Sequence, residues 1–212
     1  MGKGAKIFIG ILIGLLALLL FFLLSLKSTY NRLVTLDEQV KTQWAQVQTV
    51  LQRRMDLIPN LVETVKGYAD FERQTLEAVI QARASATRPQ VDAAELLNNP
   101  QAMQQYLQAQ NALSQALGRL LVVVERYPEL RANENFIRLQ DELAGTENRI
   151  AVERRRYNEA VRAYNQAIRK FPTVLFARML GFLPRPYFEA PPQAQEAPRV
   201  DFGTQRLSLI HI

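Results

Sequence analysis

The chain contains no cysteine among its 212 residues. This absence excludes a disulfide framework, catalysis by a thiol and a metal site built on thiolates. It does not identify the cellular compartment. Glycine is also sparse, with 9 residues, and no run of alternating β-branched residues predicts a sheet. Because the chain is rich in Leu, Ala, Gln, Glu and Arg, which favour helices, the composition predicts an all-α fold.

Histidine is nearly absent, and the one residue, His211, lies in the final hexapeptide LSLIHI. This hexapeptide matches a translation of CTGTCTCTTATACACATC, a transposase end sequence used in some sequencing-library adapters. We therefore interpret residues 207–212 as adapter-derived. On this interpretation the natural C-terminus is missing and His211 is not part of the protein. The alternative is an ordinary tail.

Without cysteine or a dependable histidine, a metal site would need carboxylates alone. The candidates on the predicted helices are Glu63, Glu72, Glu77, Glu142, Glu147 and Glu153. The Glu-x-x-His pairs of di-iron bundles do not occur, and neither do the nucleophile elbow, the P-loop or the dinucleotide-binding glycine motif. Ser114 has no basic partner that the sequence identifies. We expect no catalytic residue, no metal and no cofactor.

Residues 7–26 form an uncharged apolar run, IFIGILIGLLALLLFFLLSL. At about 1.5 Å per residue these 20 residues span ~30 Å, the thickness of a bilayer core. The run predicts an uncleaved transmembrane anchor over residues 1–27. A cleaved signal peptide is the alternative, although LLSLKSTY offers no convincing cleavage site. Basic residues flank both ends of the run, so they do not decide its orientation.

Residues 28–189 carry three apolar faces with helical spacing, which predict an antiparallel up-and-down bundle of three long helices plus one or two short ones. We predict that the first helix continues to about Ala84 and is kinked at Pro59. Its apolar face contains Leu33, Leu36, Val40, Trp44, Val47, Leu51, Ile58, Leu61, Val65, Tyr68, Leu76, Val79 and Ile80. DAAELLNNP, residues 92–100, is expected to hold a short helix.

The second long helix begins at Pro100, and the third follows Asn133, a predicted N-cap. The second face contains Met103, Leu107, Leu113, Leu117, Leu120, Val124 and Tyr127. The third contains Phe136, Leu139, Leu143, Thr146, Ile150, Tyr157, Tyr164 and Phe171. Residues 190–212 are rich in Pro, Gln and Ala and are predicted to be disordered.

The stretch LQRRMDLIPNLVETVKGYADFE, residues 51–72, holds the first candidate site residues, Arg53, Arg54, Asp56, Pro59 and Asn60. A catalytic loop or a phosphate clamp would suit the arginines. We favour a continuous helix, because the apolar spacing keeps its register across Pro59; alternatively, Asp56 caps a new helix. We expect Arg53 or Arg54 to pair with a carboxylate on a neighbouring helix and Asp56 to pair with a base. Asn60 is expected to bond the carbonyl that Pro59 leaves free.

The second candidate group is Arg154, Arg155, Arg156 and Tyr157, within ERRRYNEAVRAYN. Basic residues interleaved with tyrosines can bind nucleic acid. The heptad spacing of the tyrosines favours core positions, with the arginines on a solvated or ion-paired face. The net charge of +6 suits anionic lipid as well as nucleic acid. Because an anchor is predicted, we expect acidic headgroups or an acidic partner helix and no nucleic acid.

An apolar segment follows the third helix, FPTVLFARMLGFLPRPYFE, residues 171–189. One interpretation is that it caps the open end of the bundle. A second is a membrane-interfacial helix with Arg178 and Arg185 at the level of the headgroups. A third is a docking site for a partner.

Five sequence blocks resemble the LemA family. They are YNRLV, RRMDLIPNLVETVKGYADFE, LSQALGRLLVVVERYPELRAN, FIRLQDELAGTENRIAVERRRYNEAVRAYNQAIRKFP and YFE. The resemblance implies an N-terminal membrane segment followed by an all-helical bundle, and it implies no activity.

These observations predict a non-catalytic membrane scaffold or interaction module that crosses the inner membrane of a bacterium once. They do not predict which side of the membrane the bundle faces. The expected partners are the lipid bilayer and other membrane or envelope proteins, and a homo-oligomer is left open. One alternative is an accessory subunit of a membrane protease or cell-envelope enzyme. Another is a bundle that binds a small ligand among Asn60, Arg54, Asn148 and Tyr157.

Overall fold

The computed structural model describes residues 3–67, 72–87 and 92–189, and each regular element within these ranges is helical. The helices are α1 Lys3–Lys66, α2 Arg73–Thr87, α3 Ala93–Asn98, α4 Pro100–Val124, α5 Pro128–Arg131 and α6 Glu134–Arg169, followed by a 3-10 turn at Thr173–Leu175. The predicted all-α fold with three long helices is confirmed. The predicted tail, with its adapter-derived hexapeptide, lies outside the described residues.

α1 is a single helix of 64 residues that contains both the apolar run and the first helix of the bundle. At about 1.5 Å per residue, it is ~96 Å long. The predicted boundary between anchor and bundle, at residues 27 and 28, falls inside α1 without a break. The described side chains before the boundary are largely exposed, whereas one face of α1 is buried from Leu33 onward. α1 is long and apolar enough to cross a membrane.

The prediction that the first bundle helix continues to about Ala84 is wrong. α1 ends at Lys66, Gly67 lies in a turn, and α2 packs back against α1 as a separate helix. Glycine is costly inside a helix because it loses more backbone entropy than other residues when it is ordered. Leu76 and Val79 are buried as predicted. Their spacing continues that of α1, and spacing alone does not distinguish one straight helix from two helices that fold back.

α6 runs antiparallel to α1. Trp44 of α1 packs against Tyr157 near the middle of α6, whereas Arg53, further along α1, pairs with Glu142, which is earlier in α6. The same reversal relates α2 and α4. The bundle therefore consists of an α1–α6 pair and an α2–α4 pair, with the short helices α3 and α5 packed against them.

The buried apolar side chains form two clusters. The distal core lies farther from the apolar run and contains Met55, Leu57, Ile58, Leu61, Val62, Val65, Leu76, Val79, Ala86, Leu113, Ala116, Leu117, Leu120, Val123, Val124, Leu130, Phe136, Leu139 and Leu143. The proximal core contains Leu33, Val40, Trp44, Val47, Leu51, Leu96, Leu97, Met103, Leu107, Ile150, Tyr157, Val161, Tyr164, Ala167, Ile168, Ala177 and Phe188. The described members of the predicted faces are buried or half-buried except Ile80 and Phe171.

Asparagine side chains cap the N-termini of two of the long bundle helices, α4 and α6. Asn133 Oδ1 accepts a hydrogen bond from the backbone N of Phe136 at 3.0 Å, which confirms the predicted N-cap of α6. Asn99 Oδ1 accepts from the backbone N of Gln101 at 3.0 Å, and Pro100 occupies the first turn of α4, where its missing N–H costs little.

Candidate functional site

Arg54 is buried where α1, α4 and α6 meet. Its Nη1 donates to Ser114 Oγ at 2.9 Å and to Glu147 Oε1 at 3.0 Å, and its Nη2 donates to Gln110 Oε1. These bonds join three helices through one guanidinium. Ser114 thus has a basic partner that the sequence did not identify, but a guanidinium cannot act as a general base, because it stays protonated. The side chain is a cross-link inside the bundle and not an open anion site.

Arg53 and Asp56 make separate contacts of their own. Arg53 Nη2 contacts Glu142 Oε1 at 2.6 Å across to α6, and both side chains are substantially exposed. Such an ion pair contributes about 0–1 kcal/mol to stability. Asp56 accepts a hydrogen bond from Gln52 Nε2 at 2.8 Å on its own helix, so within the described part of the chain its partner is an amide, and the predicted pairing with a base stays a prediction. The three residues do not converge on one site.

Pro59 lies on the exposed side of α1, and the helix runs through it as predicted. The alternative in which Asp56 caps a new helix is therefore wrong. Because proline has no N–H, the carbonyl of Met55, four residues back, has no partner within the helix. Arg83 Nε of α2 donates to this carbonyl at 3.1 Å. The predicted role of Asn60 in this bond is wrong, because Arg83 performs it and the Asn60 side chain is exposed.

The arginines of the second candidate group lie at the surface of α6. Arg156 Nη1 contacts Glu153 Oε1 at 2.8 Å, and the Arg154 guanidinium lies 5.5 Å from the centre of the Phe188 ring. Arg155 is exposed. An open concavity of about 400 Å³ is lined by Ala151, Arg154, Arg155, Asn158, Glu159, Arg162 and Tyr187. Its three arginines and single carboxylate make it a basic surface.

Residues 183–188, LPRPYF, form an extended segment that we call the strap. Four side chains of α6 bind its backbone. Tyr157 and Tyr164 donate their hydroxyls to the carbonyls of Pro186 and Leu183, at 2.8 and 3.0 Å. Asn158 and Asn165 each donate to one strap carbonyl and accept from one strap N–H, over 2.8–3.0 Å. The heptad spacing predicted the burial of the tyrosines, whereas the contacts of the asparagines were not predicted.

The Tyr-Asn pair is repeated after seven residues, at positions 157–158 and 164–165, and this repeat was the available signal for the strap. Residues seven apart lie on the same face of a helix. Two identical hydrogen-bonding pairs are therefore presented two turns apart along α6. Pro184 and Pro186 favour an extended backbone in the strap, which matches this spacing.

Arg185 links the strap to the other end of the chain. Its Nη2 and Nε contact Asp37 Oδ1 of α1 at 2.6 and 3.1 Å, and both side chains are about nine-tenths buried. The guanidinium also donates to Asn98 Oδ1 and packs 5.6 Å from the centre of the Tyr164 ring. The guanidinium of Arg185 is therefore not free to contact lipid headgroups, as the interfacial interpretation expected, because α1, α3 and α6 enclose it.

Burial changes the acidity of the tyrosines in and around the proximal core. It raises the pKa of Tyr106 to about 12, and the nearby Arg54 opposes the shift. Burial likewise raises the pKa of Tyr157 and of Tyr164, with Arg185 opposing in both cases. These hydroxyls stay protonated at neutral pH, and those of Tyr157 and Tyr164 donate to the strap.

The six glutamates considered as metal ligands each contact a different cation. The pairs are Glu63 with Lys66, Glu72 with Arg126, Glu77 with Arg73, Glu142 with Arg53, Glu147 with Arg54 and Glu153 with Arg156. No group of three or more acidic or histidine side chains that could hold a metal ion occurs in the described part of the chain.

The four residues proposed for a ligand pocket do not converge. Arg54 and Tyr157 are occupied by the contacts given above, and Asn60 and Asn148 are exposed.

The apolar segment after α6 lies beside the end of the anchor. The rings of Phe176 and Phe22 are 5.7 Å apart, and so are those of Phe182 and Tyr30. The segment covers the bundle only in part, because Ala177 is buried while many of its neighbours are exposed. It contains a 3-10 turn and further turns, and so it is not the regular helix that the interfacial interpretation assumed.

A sequence model of the LemA family matches residues 43–202. The magnetosome protein MamQ of Magnetospirillum gryphiswaldense is 28% identical over 189 residues, which cover 82% of this chain and 70% of that protein. MamQ 1 of Paramagnetospirillum magneticum is 27% identical over 186 residues, covering 81% and 68%. The protein LemA of Metamycoplasma hominis is 24% identical over 196 residues, covering 89% and 83%. These names state no catalytic activity.

Proposed function

The chain is a membrane-associated member of the LemA family, and from this premise we propose that it is a non-catalytic scaffold of the bacterial inner membrane. It crosses the membrane once and presents its bundle to other membrane or envelope proteins. The bundle holds these partners at a fixed height and orientation relative to the bilayer.

The observation that carries this proposal is the continuity of α1 from Lys3 to Lys66. A flexible linker between a membrane anchor and a domain lets the domain move freely relative to the bilayer. Here the 40 residues from 27 to 66 continue the helix of the anchor and extend ~60 Å from it. The buried face of this extension is held by α6 over most of its length.

The basic concavity on α6 supports the expectation of an acidic partner. Arg155 and Arg162 are exposed there, and the opposite charge of a partner helix would complement them. A second copy of the chain would present the same basic surface and would be repelled at this place. We therefore propose that the concavity binds an acidic segment of another protein, and that any homo-oligomer uses a different surface.

The test is in-cell crosslinking of the full-length chain, with mass spectrometry of the recovered partners, in three forms of the protein. The first is unaltered. The second has seven flexible Gly/Ser residues inserted between Lys27 and Ser28. The third has seven Ala-rich helix-forming residues at the same place, which raises the bundle by ~10 Å and rotates it by only about 20°.

We expect an anchor-dependent set of partners for the unaltered chain and loss of most of these crosslinks with the flexible insertion. The helical insertion should retain the partners and move the crosslinked positions by about its own length. A partner set that is unchanged by the flexible insertion would contradict the scaffold proposal, and so would an unaltered chain that recovers no partner. Fluorescence of Trp44, the chain's only tryptophan, reports whether each form is folded.

The same experiment distinguishes the accessory-subunit alternative. Recovery of one envelope protease or cell-wall enzyme in equal amount to the chain would favour that function over a general scaffold.

A further inference from the structure

We propose that the segment after α6 enters the membrane interface beside the anchor and forms a second attachment of the bundle to the bilayer. The surface concerned, which we call the interfacial patch, consists of Phe171, Val174, Leu175, Met179, Leu180 and Leu183. This inference rests on the anchor being in the bilayer, and it adds a lipid-binding site to the proposed scaffold.

The first observation is the degree of exposure. Phe171 is 81% exposed and Met179 is 84% exposed, and the other four patch residues are exposed as well. All six lie within 13 consecutive residues, 171–183. An exposed apolar patch of this density on a protein marks a contact with a membrane or with another protein.

The second observation places the patch at the depth of the bilayer surface. Phe176, between the patch residues, packs its ring 5.7 Å from that of Phe22. Phe22 lies four residues before Leu26, the last residue of the apolar run, and so about 6 Å inside the end of that run. An apolar cleft of about 280 Å³ lies between residues 22–29 of α1 and residues 171–176. The patch is thus continuous with the surface that the anchor presents to lipid.

The third observation is the charge of this end of the bundle. Exposed basic residues lie within the patch segment, directly before it and on the part of α1 that follows the apolar run, namely Arg178, Arg169, Lys170, Lys27 and Arg32. No aspartate or glutamate occurs from residue 160 to 188, and none occurs from residue 1 to 36. Apolar side chains among basic residues, without carboxylates in the same stretch of sequence, are typical of segments that lie in the interface of anionic membranes.

The bilayer is therefore the occupant that these observations favour over a protein partner. The strap holds the patch in a fixed position relative to α1, because Arg185 contacts α1 and the α6 side chains bind the strap backbone. With two attachments, the bundle cannot rotate about the axis of the anchor or tilt freely.

The absence of cysteine makes the test direct, because a single introduced cysteine carries the only spin label. Leu175→Cys and Met179→Cys label the patch. Leu16→Cys labels the anchor. Val122→Cys is the matched control, because Val122 is also a large apolar residue, is 69% exposed, and lies at the distal end of the bundle. The full-length variants are placed in vesicles of phosphatidylcholine and phosphatidylglycerol at 3:1, and collisions with oxygen and with a water-soluble nickel chelate are measured by EPR.

We expect the ratio of oxygen to nickel collisions at positions 175 and 179 to exceed that at position 122 by at least threefold, and to be highest at position 16. Equal ratios at 175, 179 and 122 would overturn the inference. Protection of 175 and 179 from both reagents would also overturn it, because the patch would then be covered by protein, either a second copy or a partner. If position 16 is exposed to lipid but positions 175 and 179 are exposed to water, only the proposal for the patch is wrong and the anchored scaffold stands. A water-exposed position 16 removes the anchored scaffold with it.

Discussion

In the described part of the chain, the distal core is made of aliphatic side chains and Met55 from α1, α2, α4, α5 and α6 with one buried aromatic ring, Phe136, whereas the proximal core combines aromatic rings with hydrogen bonds to the strap. Aliphatic packing is not directional, and it tolerates exchange of one hydrophobic residue for another of similar volume. Hydrogen bonds and the Arg185–Asp37 pair impose a particular geometry. The end of the bundle that lies beside the apolar run is therefore the end with directional contacts.

Arg54 lies between the two cores and belongs to neither. Its contacts reach α4 and α6 from α1, so that this buried cation and its polar partners lie at the boundary between the two clusters. A polar layer around Arg54 thus separates the two cores. Substitutions in one core should therefore leave the other largely intact.

The substitution Arg185→Ala is expected to have the largest effect. It leaves the largely buried Asp37 with Lys41, at 3.1 Å, as its remaining counter-charge among the described residues, and should destabilise the protein by about 3–5 kcal/mol. Denaturant unfolding of the full chain in nanodiscs, followed by Trp44 fluorescence, measures the change. Arg178→Ala removes an exposed arginine from the same segment and should change stability by less than about 0.5 kcal/mol. Equal effects of the two substitutions would contradict the role assigned to the strap.

At the distal end, Leu120→Ala opens a cavity beside α1 and α2 and should cost about 2–4 kcal/mol. Val122→Ala, two residues away and exposed, is the control. Hydrogen exchange should become faster in α2 and the end of α4 while the strap amides stay protected. Equal acceleration at both ends would show that the two cores do not open separately.

High pH should open the proximal end first, because Tyr106, Tyr157 and Tyr164, whose pKa values are raised by burial, are located there. A pKa that folding raises gives stability that is complete below the unfolded value of about 10, and this stability is lost as the pH rises through the folded value. With a folded pKa of about 12, Tyr106 alone accounts for a loss on the order of 1 kcal/mol at pH 11. A Trp44 signal that is flat to pH 12, or earlier exchange in the distal helices, would refute the assignment, and Tyr106→Phe should reduce the pH dependence.

Tyr157→Phe is expected to have the smallest effect. It removes the hydrogen bond to the Pro186 carbonyl and keeps the ring in the core, so that stability should fall by about 1 kcal/mol. Tyr187→Phe changes an exposed tyrosine in the strap and should be close to neutral. If both substitutions are neutral, the hydroxyl of Tyr157 does not hold the strap.

The sequence allowed the helices and their buried faces to be predicted because an apolar residue that recurs every three or four positions has one side to bury. Asn133 was also predictable as an N-cap, since its role depends only on adjacent residues. The break after Lys66 was missed because the apolar spacing of α2 continues that of α1.

The contacts of the site were harder to predict from the sequence than the fold, because they join residues that are far apart in the sequence. Arg185 and Asp37 are 148 residues apart, and nothing near either residue indicates the other. The carbonyl freed by Pro59 was assigned to its neighbour Asn60, whereas the actual donor, Arg83, is 28 residues away from Met55. Composition showed that residues 171–183 are apolar, but only the structure places them beside the anchor.

Hydrogen exchange of the full-length chain in nanodiscs, resolved over residues 20–44, tests the central claim that one helix joins the membrane to the bundle. The account predicts slow exchange that is continuous through residues 27–32, where the anchor ends and the buried face of α1 begins. A stretch of rapid exchange there, between a protected anchor and a protected Trp44 region, would show a flexible linker and would contradict the scaffold proposal.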